Sequence, residues 1–211
     1  MKRLILLFLV GIFIAIPFHG NAATLFEGFE SGVVPPSGWT VEQVLPNENT
    51  WEIKTIGSPY EGSYAANFGW SSDFQVDYLL SPIITPMAGP FTVEAWSQGS
   101  TYWGRDTYDN YNLALYLVYD SIYFSDLVGT FDEDWGENWA WSKSTFDLAG
   151  LFSPGVPVRL GYVYMGGDGA DAGLDNITIQ YTSNTVPEPA TMLLLGLGLL
   201  GLVGVRRKMR K

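Results

Sequence analysis

Residues 24–185 of this 211-residue chain predict an all-β fold, an antiparallel sandwich or barrel. Apolar and polar residues alternate over many short stretches, and clusters of Gly, Pro, Asn and Asp separate most of them. No helical 3.6-residue periodicity runs between Thr24 and Thr185. A strand sends successive side chains to opposite faces, so a half-buried strand repeats its chemistry every second residue.

Taken in chain order, the first strand is expected near Leu25–Phe29, and others near Thr50–Thr55, Ser63–Phe68 and Val76–Leu80. In Phe91-Thr-Val93-Glu-Ala95 the apolar residues share one face, and Leu113-Ala-Leu115-Tyr-Leu117-Val-Tyr119 repeats the pattern. Trp139–Phe146 follows, then Val158-Arg-Leu160-Gly-Tyr162-Val-Tyr164, and Leu174-Asp-Asn-Ile177-Thr-Ile179-Gln-Tyr181 closes the body. Nine to eleven short strands with turn signals between them suit a sandwich or barrel. Trp39, Trp51 and Trp96 are expected in its core.

The ends have a different character. Lys2 and Arg3 precede an apolar run, Leu4–Phe18, interrupted by Gly11 and Pro17. His19-Gly20-Asn21-Ala22 then places small residues before a cut after Ala22, so residues 1–22 read as an export signal peptide. At the other end Val186-Pro187-Glu188-Pro189 precedes an apolar run, residues 190–205, and the basic tail Arg206-Arg207-Lys208-Met209-Arg210-Lys211. Those 16 apolar residues rise roughly 24 Å as a single transmembrane helix, enough for a bilayer when flanking arginines snorkel. The basic cluster stays cytoplasmic and the body lies outside.

Pro-Glu-Pro, a Leu/Gly-rich helix and a terminal Arg cluster over residues 184–211 resemble the PEP-CTERM sorting signal of Gram-negative bacteria. The resemblance implies an exosortase-type membrane protease as partner and a transient inner-membrane anchor. It also implies a later place at the cell surface or in an exopolysaccharide-rich, biofilm-type extracellular matrix.

Composition narrows the chemistry. All 22 acidic residues lie in 24–189, against Lys54, Arg105, Lys143 and Arg159, a formal charge of −18. Such a body repels phosphate backbones, so nucleic acid is excluded as a partner. Cysteine is absent and His19, the only histidine, sits in the leader. Disulfides, thiol nucleophiles, Ser-His-Asp catalysis and His-ligated metals are therefore excluded from the mature body.

Several segments together resemble choice-of-anchor J domains, which are related to cleaved-adhesin and MAM-type jelly rolls. They are Glu27-Gly28-Phe29-Glu30 with Pro35-Pro36-Ser37-Gly38-Trp39, Trp51, Gly62 with Ala65, and Asp77-Tyr78-Leu79-Leu80-Ser81-Pro82. Asp147-Leu148-Ala149-Gly150, Val158-Arg-Leu160 and Gly173-Leu174-Asp175-Asn176-Ile177 complete the set, which spans residues 25–181. The resemblance implies a jelly-roll sandwich over residues 23–183, with first and last strands adjacent. It implies a structural Ca²⁺ with Glu30 and Asp175 at the matching positions, Glu27 nearby, and Asn176 offering an amide oxygen where the family has a second Asp. The alternative is that these side chains bond turn backbones and close the sheet.

Three other segments bear on function. Asp132-Glu133-Asp134-Trp135-Gly136-Glu137 lacks the spacing of a glycosidase carboxylate pair and reads as a solvated acidic loop. The Gly/Asp run Gly166–Asp171 reads as a loop before the last strand. Aromatics crowd two segments, Trp96–Tyr111 and Trp135–Trp141. Sugars stack their C–H faces on such rings, and Asp or Arg bonds their hydroxyls. Tyr102, Trp103, Arg105, Asp106 and Tyr108 are the candidate ligand-binding residues.

The sequence therefore predicts a non-enzymatic exported surface or matrix protein serving adhesion or glycan contact. The alternatives are a structural matrix protein without a ligand and, less favoured, a carbohydrate-active enzyme built on Asp and Glu.

Overall fold

The computed structural model describes residues 20–45, 48–53 and 58–184. Residues 1–19, the Val186–Pro189 motif, the apolar run 190–205 and the basic tail lie outside the described residues. Eleven strands among the described residues form two antiparallel sheets. They are β1 (Asn21–Glu27), β2 (Thr40–Gln43), β3 (Trp51–Ile53), β4 (Ala66–Phe68), β5 (Gln75–Leu80), β6 (Pro86–Gly99), β7 (Tyr111–Val118), β8 (Ser125–Thr130), β9 (Ser142–Asp147), β10 (Arg159–Gly166) and β11 (Ala172–Ser183). The first sheet runs β3-β4-β11-β6-β9, with β1 also on β11, and the second runs β2-β5-β10-β7-β8. First and last strands are thus adjacent, Asn21 facing Ser183 and Glu27 facing Ile177. A cut after Ala22 leaves Ala23–Glu27 of β1 in this ladder.

The alternation places the core where it was expected. Phe91, Val93 and Ala95 of β6 meet Leu113, Leu115 and Leu117 of β7 and Leu160, Tyr162 and Tyr164 of β10, all buried between the sheets. Each large side chain so buried contributes about 1.5–3 kcal/mol. On β11, Leu174 and Ile177 both point inward although three apart, which simple alternation forbids. A bulge between Asp175 and Thr178, with Asn176 at φ 44°, supplies the extra residue that restores the phase.

The Asp77-x-Leu79-x-Ser81 pattern also has a physical reading. These three side chains share the inner face, where Ser81 Oγ accepts from Leu160 N at 2.9 Å. Asp77 Oδ2 accepts from Gln43 Nε2 at 3.0 Å, and Oδ1 has no partner. Burial pushes this carboxyl up to about 6.

Three features depart from expectation. The short β2 and the edge strand β8 carry no clean alternation in sequence, and pairing to β5 and β7 defines them. Trp96 is not in the core. With Val93 and Ala95 turned inward it must point outward, and it stacks on Tyr60 at 3.7 Å. Trp39 and Trp51 are buried as expected.

The register gives the sandwich two ends. Gly99, Tyr111, Gly166 and Ala172 lie at one, which we call distal. Pro86, Ser183, Leu80, Val118 and Arg159 lie at the other, the exit end, where the described chain leaves β11.

Candidate functional site

The distal end holds an open groove of about 440 Å³. One turn of π-helix, Tyr102–Asp106, follows β6 and supplies Tyr102 and Trp103. The β8–β9 connection supplies Asn138 and Trp139, the β10–β11 loop supplies Asp168 and Asp171, and Trp70 follows β4. Trp70, Tyr102 and Trp139 remain 49%, 45% and 40% exposed, so none is sealed in the core.

Hydrogen bonds donated by main-chain N–H groups fix these walls. Asp168 N donates to Ser71 O at 2.7 Å and Trp70 N to Asp171 Oδ1 at 2.8 Å, clipping two loops together. Thr101 N donates to Asn138 Oδ1 at 3.1 Å, and Trp139 N to Gly99 O at 2.8 Å. Beneath lies Trp135, fully buried, its Nε1 donating to Ser97 Oγ at 2.9 Å. Gly99 is required there, because a Cβ would fall 2.1 Å from the Trp135 ring.

Two groove residues hold left-handed backbone, Trp139 at φ 62° and Asp168 at φ 52°. For a bulky aromatic this conformation costs about 1–3 kcal/mol, and it persists where surroundings enforce it. Asp168 and Asp171 give the groove negative charge, and among the described residues no cationic side chain lines it.

The five expected ligand-binding residues divide. Tyr102 and Trp103 line the groove. Tyr108 stacks on Trp103 at 4.6 Å and supports it. Arg105 and Asp106 pair at 2.9 Å, and Arg105 Nη1 donates to Trp135 O at 2.6 Å. Arg105 therefore ties the π turn to the next connection and does not line the groove. Trp70, Asn138, Asp168 and Asp171 join Tyr102 and Trp103 in the groove without a ligand-binding signature in the sequence around them. An isolated Trp within Gly69-Trp70-Ser71-Ser72 still points to the first.

The Asp132–Glu137 run is not wholly solvated. Asp132 starts a 3₁₀ turn and is fully buried, accepting from Leu113 N at 3.0 Å through Oδ1 while Oδ2 has no partner. Burial, and then the charges of Glu133 and Asp109, push its carboxyl up to about 7.

The calcium candidates gather at the β11 bulge, but as hydrogen-bond acceptors. Asp175 Oδ2 accepts from Tyr60 N at 3.0 Å and Glu61 N at 3.3 Å, and Oδ1 accepts from Asn176 N at 2.7 Å. Glu30 accepts from Ser63 N and Tyr64 N, and Glu27 Oε1 accepts from Phe29 N at 2.6 Å. Asn176 turns its Nδ2 to Glu61 Oε2 at 2.7 Å. The donor set is oxygen-rich, as a hard cation requires. Yet among the described residues no three acidic side chains draw close enough to hold a metal ion as they stand.

Residues 185–208 match the PEP-CTERM protein-sorting motif. The chain carries an exosortase-type sorting signal. The signal marks an exported protein, anchored transiently in the membrane and processed by an exosortase-type system. No curated protein matches the sequence. Among solved structures, the K1 cleaved adhesin domain of Lys-gingipain from Porphyromonas gingivalis W83 superposes with a TM-score of 0.56 at 16% identity, covering 77% of this chain and 99% of that domain. The K3 domain of the same protein gives 0.53 at 16%, covering 74% and 97%. The CBM22-1 xylan-binding domain of Paenibacillus barcinonensis Xyn10C gives 0.50 at 14%, covering 79% and 97%. These likenesses establish the fold, a sandwich shared by cleaved-adhesin and carbohydrate-binding domains.

Proposed function

We propose that the exported body binds a glycan in the distal groove and acts without turnover as an adhesive component of the cell surface or matrix of a Gram-negative bacterium. The observation that carries this reading is three half-exposed rings, Trp70, Tyr102 and Trp139, lining one groove with Asp168 and Asp171 at the distal end of the sandwich. Ring faces take the C–H faces of a pyranose, carboxylates accept its hydroxyls, and burying ring area supplies affinity. That a xylan-binding domain is built on the same fold supports the reading. The groove's charge selects neutral or amino-bearing sugars over uronic acids.

The test is a glycan array carrying neutral, amino and uronic polysaccharides, probed with the wild-type protein and with Trp139→Gly. Neutral or amino glycans are expected to bind, with the signal lost in the variant. Retention by uronic polymers alone overturns the charge argument, and silence throughout favours a matrix protein without a soluble ligand.

A structural Ca²⁺ at the β11 bulge is a second proposal. The bulge leaves Glu30 and Asp175 close enough for the Glu30 charge to act on Asp175, and no described cationic side chain bonds either. Glu27, Glu30, Asp175 and the Asn176 amide oxygen would hold the ion, which would neutralise the seam between β1 and β4 on β11. Thermal unfolding with and without calcium tests it.

A further inference from the structure

The exit end carries a group of exposed apolar side chains. Tyr123 and Phe124, at the tip of the β7–β8 hairpin, are 80% and 67% exposed, and Ile83, Leu151 and Val156 are also exposed. They belong to one surface, because hydrogen bonds join their loops. Tyr119 Oη donates to Leu151 O at 3.3 Å, linking the hairpin to the β9–β10 connection. Ile84 and Val158 exchange main-chain bonds, and Gly155 N donates to Pro86 O at 2.8 Å. Pro86 in turn faces Ser183 across the ladder, so the chain leaves β11 through the same surface.

Chain length then fixes what lies beneath. Six residues, 184–189, separate Ser183 from Ala190, seven Cα steps away, where the apolar run of the sorting motif begins. Fully extended, they reach at most roughly 25 Å. Exposed apolar patches rimmed by polar residues mark interaction surfaces, and Tyr and Phe rings favour the membrane–water interface.

We propose that, while the sorting motif anchors the chain, the exit end rests on the lipid surface with Tyr123, Phe124, Ile83, Leu151 and Val156 in the interfacial layer. The distal groove then points away from the bilayer, about one strand length (roughly 26 Å) further out. The contact is apolar in nature. Among the described residues Arg159 is the cationic side chain at this end, its Nη1 donates to Thr40 Oγ1, and Asp120 and Asp126 lie beside the hairpin. Zwitterionic lipid therefore suits the surface better than anionic lipid, which rewards basic clusters.

The absence of cysteine gives a clean test. The full-length chain is reconstituted in phosphatidylcholine vesicles with one thiol, from Phe124→Cys or Tyr102→Cys, carrying an environment-sensitive fluorophore. Lipid-borne quenchers are expected to quench the label at 124 several-fold more than the label at 102, and less as anionic lipid is added. Equal or weaker quenching at 124 overturns the proposal. So does a label at 124 that is shielded from water in proportion to protein concentration without lipid quenching, which would assign this surface to a second copy of the chain. Both positions are exposed, so thermal midpoints matching the wild type confirm intact folds.

Discussion

The same strands end in two different chemistries. At the distal end they open into connections with left-handed Trp139 and Asp168, half-exposed rings and two carboxylates with no described cationic side chain in the groove lining. At the exit end the connections, tied backbone to backbone like the distal ones, through Ile84 with Val158 and Gly155 with Pro86, expose aliphatic, Phe and Tyr side chains. The difference teaches that the ladder fixes the frame while the loops divide the labour. One end is built to present a concave, polar-edged surface, the other an apolar one beside the point where the chain leaves.

Substitutions can break this contrast, beginning with the largest effect. Trp135→Ala empties the buried platform under the groove and should cost about 3–5 kcal/mol, read by denaturant unfolding. The loss should fall on the distal end, leaving the label at Phe124→Cys unchanged in mild denaturant. A uniform loss at both ends would erase the distinction.

The pH response comes next. Asp132 and Asp77 titrate near 7 and near 6 when folded, against 3.8 when unfolded. Between these values the native state holds more protons than the unfolded one, so stability falls as pH rises from about 4 to 7. The stabilisation is full below the unfolded value and lost through the folded values. Asp132→Asn keeps the acceptor for Leu113 N and should remove most of its share of the slope, on the order of 4 kcal/mol, in unfolding measured at successive pH values. An unchanged slope would mean that the buried carboxyl does not titrate in this range.

Trp139 separates strain from binding. Trp139→Gly should be more stable than Trp139→Ala by about 1 kcal/mol, because only glycine accepts φ 62° freely. Both should lose roughly tenfold in glycan affinity, which corresponds to about 1.4 kcal/mol for the lost ring. Calcium should give the smallest shift, a rise of a few degrees in unfolding midpoint that Asp175→Asn removes. No shift in the wild type would leave Glu30 and Asp175 as turn acceptors only.

Much of the frame was legible in the sequence because alternation reports which face is buried. Phe91-x-Val93-x-Ala95 gave the inner face of β6, and the same arithmetic, applied one residue further, puts Trp96 outside. The odd spacing of Leu174 and Ile177 encoded the bulge. The groove was legible only in part. Tyr102 and Trp103 stood out by composition, but Trp70, Asn138, Asp168 and Asp171 come from three separate connections that only the closed ladder brings together. Asp132 looks solvated in the sequence and is buried in the fold, because its burial comes from β7 closing over it, not from its neighbours in the chain.

The most direct test is calorimetric titration of the full-length protein, in detergent, with neutral xylo- and gluco-hexasaccharides, a glucosamine hexamer and hexagalacturonate. Saturable binding of at least one neutral or amino oligomer, lost in Trp139→Gly and absent for hexagalacturonate, is the expected result. Failure of every oligomer to bind, or binding that survives Trp139→Gly, would contradict a glycan site in the distal groove.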